Sequence, residues 1–180
     1  MKLTPLNIPE VIVIEPEVFE DNRGLFFEAF NQKKFNKSIG RDITFVQDNQ
    51  SRSKQGVLRG LHYQETPLAQ DKLIRVIRGE IFDVAVDIRT ASPSYSHWVS
   101  QVLSSDNKKQ LWIPKGFAYG FLVLSEEAEI LYKTTAYYSP THERVIRFDD
   151  KSINISWPNI KNSYLINHRD KSGLTLRKKL

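Results

Sequence analysis

The stretch Glu80-Ile81-Phe82-Asp83-Val84-Ala85-Val86-Asp87-Ile88-Arg89 alternates without a break. Phe82, Val84, Val86 and Ile88 fall on one side, and Asp83, Ala85 and Asp87 on the other. A period of two marks a β-strand, whose successive side chains point to opposite faces. Residues 72–78 read the same way, and Arg78-Gly79-Glu80 between the two runs is expected to be a tight turn joining antiparallel strands. Further strand candidates lie at 9–14, 25–29, 45–51, 56–64, 97–103, 110–113, 121–124, 128–138 and 153–157. Turn clusters such as Thr90-Ala91-Ser92-Pro93-Ser94, Ser104-Ser105-Asp106-Asn107 and Ser139-Pro140-Thr141 separate them. Residues 31–39 alone read as a helix, with Asn31 as N-cap and Gly40 as the C-terminal stop; a short helix near the C-terminus is also compatible with the pattern. Many short strands with frequent turns and almost no helix specify an antiparallel sandwich or barrel. With 180 residues, no internal repeat and no Pro/Gly-rich linker, the expectation is one domain over residues 1–180.

The acids within the first stretch sharpen the choice. The inward face of an ordinary sandwich is uniformly apolar, so Asp83 and Asp87 either line a barrel interior that holds a polar ligand or face solvent. Both readings stay open at this point.

Composition removes several classes of function. The chain has no cysteine, which excludes disulfides, zinc fingers, iron–sulfur clusters and thiol nucleophiles. The net charge of +5 suggests nucleic acid, but its distribution does not. Before Lys161 there are 20 basic and 20 acidic residues; from there on, six bases face one acid. The basic excess belongs to the end of the chain, where Arg177-Lys178-Lys179 reads as a solvated tail, so no nucleic-acid partner is expected. The longest early apolar run, Val11-Ile12-Val13-Ile14, is bracketed by Glu10 and Glu15. It falls far short of the ~18 apolar residues of a membrane span. A cytoplasmic protein with no membrane partner is expected.

Two segments carry candidate chemistry. In Gly56-Val57-Leu58-Arg59-Gly60-Leu61-His62-Tyr63-Gln64 a single histidine sits on a strand, and Trp112-Ile113-Pro114-Lys115-Gly116-Phe117-Ala118-Tyr119-Gly120-Phe121 passes through a Pro-x-Gly turn into another strand. On an all-β chain the pair resembles the two signature regions of the cupin superfamily, which implies an all-β, antiparallel jelly-roll barrel with few short helices. Metal-binding cupins place His-x-His and a later Glu in the first region and a His in the second. Here His62 stands alone in the first region and Tyr119 occupies the slot of the second region's His, while His97, His142 and His168 have no metal-ligand spacing between them. A transition-metal site needs three or four converging ligands, so no metal is expected.

Six segments in order extend the resemblance. Phe45-Val46-Gln47-Asp48-Asn49, Gly56 to Gln64, Lys72-Leu73-Ile74-Arg75-Val76, Asp83-Val84-Ala85-Val86-Asp87-Ile88-Arg89, Gln110 to Phe121 and Leu131-Tyr132-Lys133 resemble the dTDP-4-dehydrorhamnose 3,5-epimerase family from Arg23 to Asp170. The family inverts the carbons on either side of the ketone in a dTDP-linked 4-keto-6-deoxyhexose, without a cofactor. The resemblance implies His62 as the base, Asp170 as its carboxylate partner, Lys72 as the cation for the enolate oxygen and Tyr132 as the acid on the opposite face. Each assignment fits the chemistry of carbon acids, which need a base in contact and a stabilised enolate. It further implies Arg23, Glu28, Gln47, Asp48, Asn49, Arg59, Tyr119, Glu143 and Arg169 as substrate contacts, and Tyr138 as the aromatic that stacks on thymine. Arg23 and Glu28 come from the neighbouring subunit in that family, because the N-terminal strand joins its partner's sheet; a homodimer follows.

One local conflict and three departures accompany the match. Arg59 and His62 are three apart, so a regular strand puts them on opposite faces; Gly60 permits a bulge that would bring both inward, which the sequence does not itself show. Tyr119 stands where the family usually has His, Arg169 where it has Lys, and Val145 and Phe148 where Gly and Trp are common. These departures leave two alternatives beside the main reading: a relative that inverts C3 or C5 alone, and a non-catalytic sugar-binding jelly roll.

Overall fold

The computed structural model describes residues 1–160 and 163–176; the Arg177-Lys178-Lys179 tail read above as a solvated end lies outside the described residues. In chain order the strands are β1 (Lys2–Pro5), β2 (Ile12–Glu15), β3 (Val18–Asp21), β4 (Gly24–Phe27), β5 (Gln47–Lys54), β6 (Leu58–Gln64) and β7 (Lys72–Arg78). They continue with β8 (Glu80–Asp87), β9 (Trp98–Ser104), β10 (Gln110–Ile113), β11 (Phe117–Val123), β12 (Glu127–Thr134) and β13 (Glu143–Val145). A six-stranded sheet has the order β1-β2-β10-β7-β12-β5, and a five-stranded sheet the order β13-β6-β11-β8-β9. All their ladders are antiparallel. The architecture is the mostly-β, cupin-like jelly roll expected. Among the described residues, strands β3 and β4 pair only with each other, as a separate ribbon.

The interior between the sheets is filled from both sides, by Val13, Ile74, Leu111 and Ile130 of one and Ile81, Ala85, Leu103 and Phe121 of the other. The acid-bearing side of β8 therefore faces inward: Ala85 belongs to this core, and Asp83 and Asp87 are fully buried. The apolar side of the same strand is not a solvent face either. Val84 and Val86 pack with Leu61 and Ala118 under Ile146, Ile153, Ile155 and Trp157 of the C-terminal segment. A third cluster puts Phe35 of the helix α1 (Gln32–Ile39) against Leu73 and Trp112 on the outside of the six-stranded sheet. As expected, Asn31 caps α1, its side chain accepting from the Lys34 N–H at 3.1 Å, and Gly40 ends it at φ +71°.

Two expectations fail. Arg78-Gly79-Glu80 is not a hairpin turn: β7 belongs to the six-stranded sheet and β8 to the five-stranded one, so Gly79 is the corner where the chain changes sheets. Its φ is +76°, and a Cβ there would collide with the Glu127 carbonyl, which is why the corner takes glycine. Residues 153–157 form no strand. Their alternating apolar side chains cover the outer face of a sheet instead of joining a ladder.

Candidate active site

A cleft of about 220 Å³ opens between the two sheets. Strand β5 presents Gln47, Asn49 and Ser51 to it, β6 presents Arg59 and His62, β11 Tyr119, β7 Lys72 and β12 Tyr132; Gln70, Tyr138 and Glu143 complete the rim. Alternation along β5 turns Asp48 the other way, where its carboxylate holds the Lys133 ammonium at 2.9 and 3.0 Å; the structure does not bring Asp48 to the cleft. Arg23 and Glu28 also lie away from it. Arg23 is bound to Asp21 on the β3–β4 ribbon, and Glu28 to Lys34 and Asn31.

Arg59 and His62 share the cleft because β6 is bulged. Tyr119 is opposite His62 and Phe121 opposite Arg59, so the single residue Gly120 faces both Gly60 and Leu61. The extra residue lets Leu61 turn outward into the C-terminal cluster while the histidine turns in. Gly60 has φ +120°, and a Cβ on it would stand 2.6 Å from the Gly120 Cα and 2.7 Å from the Tyr119 carbonyl. No other residue type meets both conditions.

Asp170 reaches the histidine from 108 residues away, on the helix α2 (His168–Lys171) capped by Asn167. His62 Nε2 and Asp170 Oδ1 are 2.8 Å apart, and the Gly60 N–H donates to Asp170 Oδ2 at 3.1 Å. Burial alone would raise the Asp170 pKa. The bonds from His62 and Gly60, with the nearby charge of Arg169, outweigh burial and hold it below the usual carboxylate value. An ionised carboxylate can only accept, so in the neutral imidazole the proton is on Nε2 and the lone pair on Nδ1.

The six-stranded sheet supplies the opposing wall. The Lys72 side chain is almost wholly buried, its Nζ donating to Gln70 Oε1 at 2.7 Å and lying 5.8 Å from the centre of the Tyr132 ring. Desolvation brings the Lys72 pKa down to about 8, against a smaller upward pull from Glu143. Burial and the Glu143 charge raise that of Tyr132, which keeps its phenol protonated at neutral pH. At the rim the Tyr138 hydroxyl donates to Glu143 Oε2 at 2.9 Å, and the Arg169 guanidinium pairs with the same oxygen. The Tyr138 ring is half exposed. Beneath the cleft Asp83 faces the Tyr119 phenol; among the described residues neither its carboxyl oxygens nor that hydroxyl has a hydrogen-bond partner, and burial pushes the Asp83 pKa well up.

Sequence reasoning missed Ser51 and Gln70, which line the cleft, and Ser53, which supports Arg59. Arg59 Nη2 donates to Ser53 Oγ at 3.0 Å, and Gln70 binds Lys72. Small neutral side chains of this kind carry no motif. Asp83, which stood out as an acid on an apolar strand, is buried beneath the cleft and does not line it. Among the described residues no group of three or more His, Asp or Glu is placed to hold a metal ion, and no helix is long and apolar enough to cross a membrane.

Known proteins resemble this chain over nearly its whole length. Residues 5–178 match the family model described as dTDP-4-dehydrorhamnose 3,5-epimerase. The chain is 56% identical over 173 residues to the dTDP-4-dehydrorhamnose 3,5-epimerase of Shigella flexneri, covering 96% of this chain and 94% of that one. It is 54% identical to the Pseudomonas aeruginosa enzyme of the same name, with the same coverage. Among solved structures, a dTDP-6-deoxy-D-glucose-3,5-epimerase from Legionella pneumophila in complex with dTDP-4-keto-L-rhamnose superposes with a TM-score of 0.94. That structure is 46% identical, with 97% of this chain and 92% of that chain covered.

Proposed function

This chain belongs to the dTDP-4-dehydrorhamnose 3,5-epimerase family, and from that membership we propose how its own residues divide the work of the reaction. It is an isomerase of dTDP-L-rhamnose biosynthesis and acts on a dTDP-4-keto-6-deoxyhexose. The observation that carries the assignment is the placement of base and acid on different sheets. His62 belongs to the five-stranded sheet and Tyr132 to the six-stranded one, with the cleft between them. A sugar ring held there offers one face to each.

His62 Nδ1 takes the proton from a carbon beside the ketone; the C–H pair forms the enolate's C=C bond as the carbonyl π pair moves onto the ketone oxygen. Asp170 stabilises the imidazolium that forms, and the Lys72 ammonium stabilises the enolate. The Tyr132 phenol then delivers a proton to the other face of the carbon, which inverts it; solvent restores both groups. The same cycle at the second flanking carbon completes the epimerisation. General acid and base terms contribute roughly 10²–10⁴-fold each, so the cation is needed beside them. The scheme uses protein groups alone, and EDTA is expected to leave the rate unchanged.

The enclosed cleft is smaller than the roughly 300–1,000 Å³ of a pocket that engulfs a whole ligand. It suits the sugar, with the diphosphate reaching Arg59 and Arg169 and the thymine lying on the exposed Tyr138 ring. Gln47, Asn49, Tyr119 and Glu143 complete the contacts. Residues 1–180 are read as one domain, since the site draws on elements from β5 to α2, and its place of work as the cytoplasm.

A homodimer belongs to the same reading. Phe19, Leu25 and Phe26 of the unpaired ribbon are 56%, 49% and 71% exposed, beside an apolar groove containing Phe27, Phe30 and Leu73. Such a patch calls for a cover, and exchange of the N-terminal segment would carry Arg23 and Glu28 to the partner's cleft. Light scattering should give twice the chain mass. Mixing and reassembling inactive Arg23→Ala and His62→Ala proteins should restore activity, whereas persistent inactivity would refute sharing of the site.

Turnover of dTDP-4-keto-6-deoxyglucose in D₂O tests the mechanism. Deuterium should enter at both C3 and C5, and His62→Ala should abolish exchange at both. Retained exchange in that variant would remove His62 as the base.

A further inference from the structure

Lys72 is an ammonium with an unusual escort. Its side chain is buried, yet among the described residues it makes no ion pair, and Gln70 Oε1 is its one hydrogen-bond acceptor. The charged and titratable groups around it come from several elements: Tyr132 from β12, Glu143 from β13, Arg59 and His62 from β6, and Tyr119 from β11. Glu143 acts on it only at a distance, its carboxylate being taken up by Tyr138 and Arg169. Asp71, next to it in sequence, is held by the Thr135 hydroxyl and the Lys115 N–H.

Gln70 itself is pinned. Its Nε2 donates to the Ala136 carbonyl at 2.8 Å, so the amide cannot turn over, and Oε1 must face the lysine. We infer that Gln70 is a positioning residue: a fixed neutral dipole that aims the Lys72 ammonium into the cleft while leaving its full charge for the enolate oxygen. A carboxylate in that place would hold the ammonium as well, but would neutralise it before the substrate did. An apolar residue would leave it without an acceptor, and the buried lysine would shed its proton. An amide alone orients the charge without cancelling it.

The inference rests on the reading of Lys72 as the enolate's cation, so its test separates the two. Lys72 is followed by NMR titration of lysine labelled at Cε, alongside the pH dependence of solvent exchange into the substrate. Gln70→Glu should raise the Lys72 midpoint by roughly one to three pH units, with kcat at least tenfold lower and KM within about threefold of its original value. Gln70→Met should lower the midpoint and move the alkaline fall in kcat the same way. A glutamine that merely packs would move neither titration. If both variants fold, as judged by thermal melting, and the Lys72 midpoint and the alkaline limb stay where they were, the inference is overturned while the role of Lys72 stands. If the midpoint moves and exchange does not, the enolate role of Lys72 is refuted and the inference falls with it.

Discussion

Arg59 and His62, three residues apart on one strand, point into the same cleft because Gly120 on the neighbouring strand faces two residues of β6. A straight strand could present one of them or the other, and the site requires both.

Gly60→Ala is therefore expected to cost far more than a methyl group usually does. The added Cβ meets Gly120 and the Tyr119 carbonyl, and alanine is strained at φ +120°. Relief by straightening the strand would turn His62 out of the cleft. We expect at least a hundredfold loss in kcat/KM together with a lower melting temperature. Near-native turnover by this variant would show that the bulge does not set the histidine's direction.

Tyr132→Phe should separate the two halves of the reaction. The base, the cation and the cleft remain, so solvent deuterium should still enter the substrate by loss and return of the proton on the His62 side. Inversion should fall by roughly 10²–10⁴. Product analysis by NMR in D₂O reads both processes at once, and equal loss of the two would argue against Tyr132 as the acid.

Activity should fall as the pH rises through about 8. The Lys72 pKa is lowered to that value in the folded protein, and only its charged form stabilises the enolate. Lys72→Arg, whose guanidinium keeps its proton, should be slower near neutrality but should lose the alkaline fall. A limb that stays in place in Lys72→Arg would assign it to another group.

Asp83 gives a prediction about stability. Its folded pKa lies above the unfolded value, so the carboxyl is neutral in both states at low pH and costs little there. As the pH climbs past the unfolded value, the unfolded chain gains from ionisation and the buried group does not, and stability is lost. Asp83→Asn removes this titration. It should stabilise the protein at pH 7–8 by about 1–3 kcal/mol, a few degrees of melting temperature for a chain of this size, with the gain vanishing near pH 3–4. Melting curves at the two pH values decide it.

How much of this was readable in the residues depended on whether the cause was local. Strand β7 has the expected limits because alternation within the segment defines it, and β10 because its short apolar run ends at Pro114. Helix α1 was legible from Asn31, whose side chain caps it, and from Gly40, whose lack of a Cβ suits the left-handed conformation that ends it. Gly79 was misread because a glycine between two alternating runs looks the same whether the strands pair or part; the difference lies in which sheets they join. Residues 153–157 alternate like a strand because covering a sheet also requires one apolar side. Within the site, His62, Lys72 and Tyr132 were found through resemblance to a family, and Gln70 and Ser53 escaped because their importance comes from a neighbour distant along the chain.

The C-terminal segment has a consequence for how the molecule fails. Past Ile146 it roofs the five-stranded sheet and delivers Asp170 to the histidine, and among the described residues its strand-like contacts are isolated bridges, Val57 to Leu165 and Ile146 to Leu174. The catalytic partner is thus mounted on a segment that, among the described residues, meets the barrel through isolated bridges and not through a continuous ladder. Under rising denaturant the roof should lift first, silencing the enzyme while the double sheet beneath is still whole. Turnover is then the earliest alarm of unfolding, and the barrel outlasts its own chemistry.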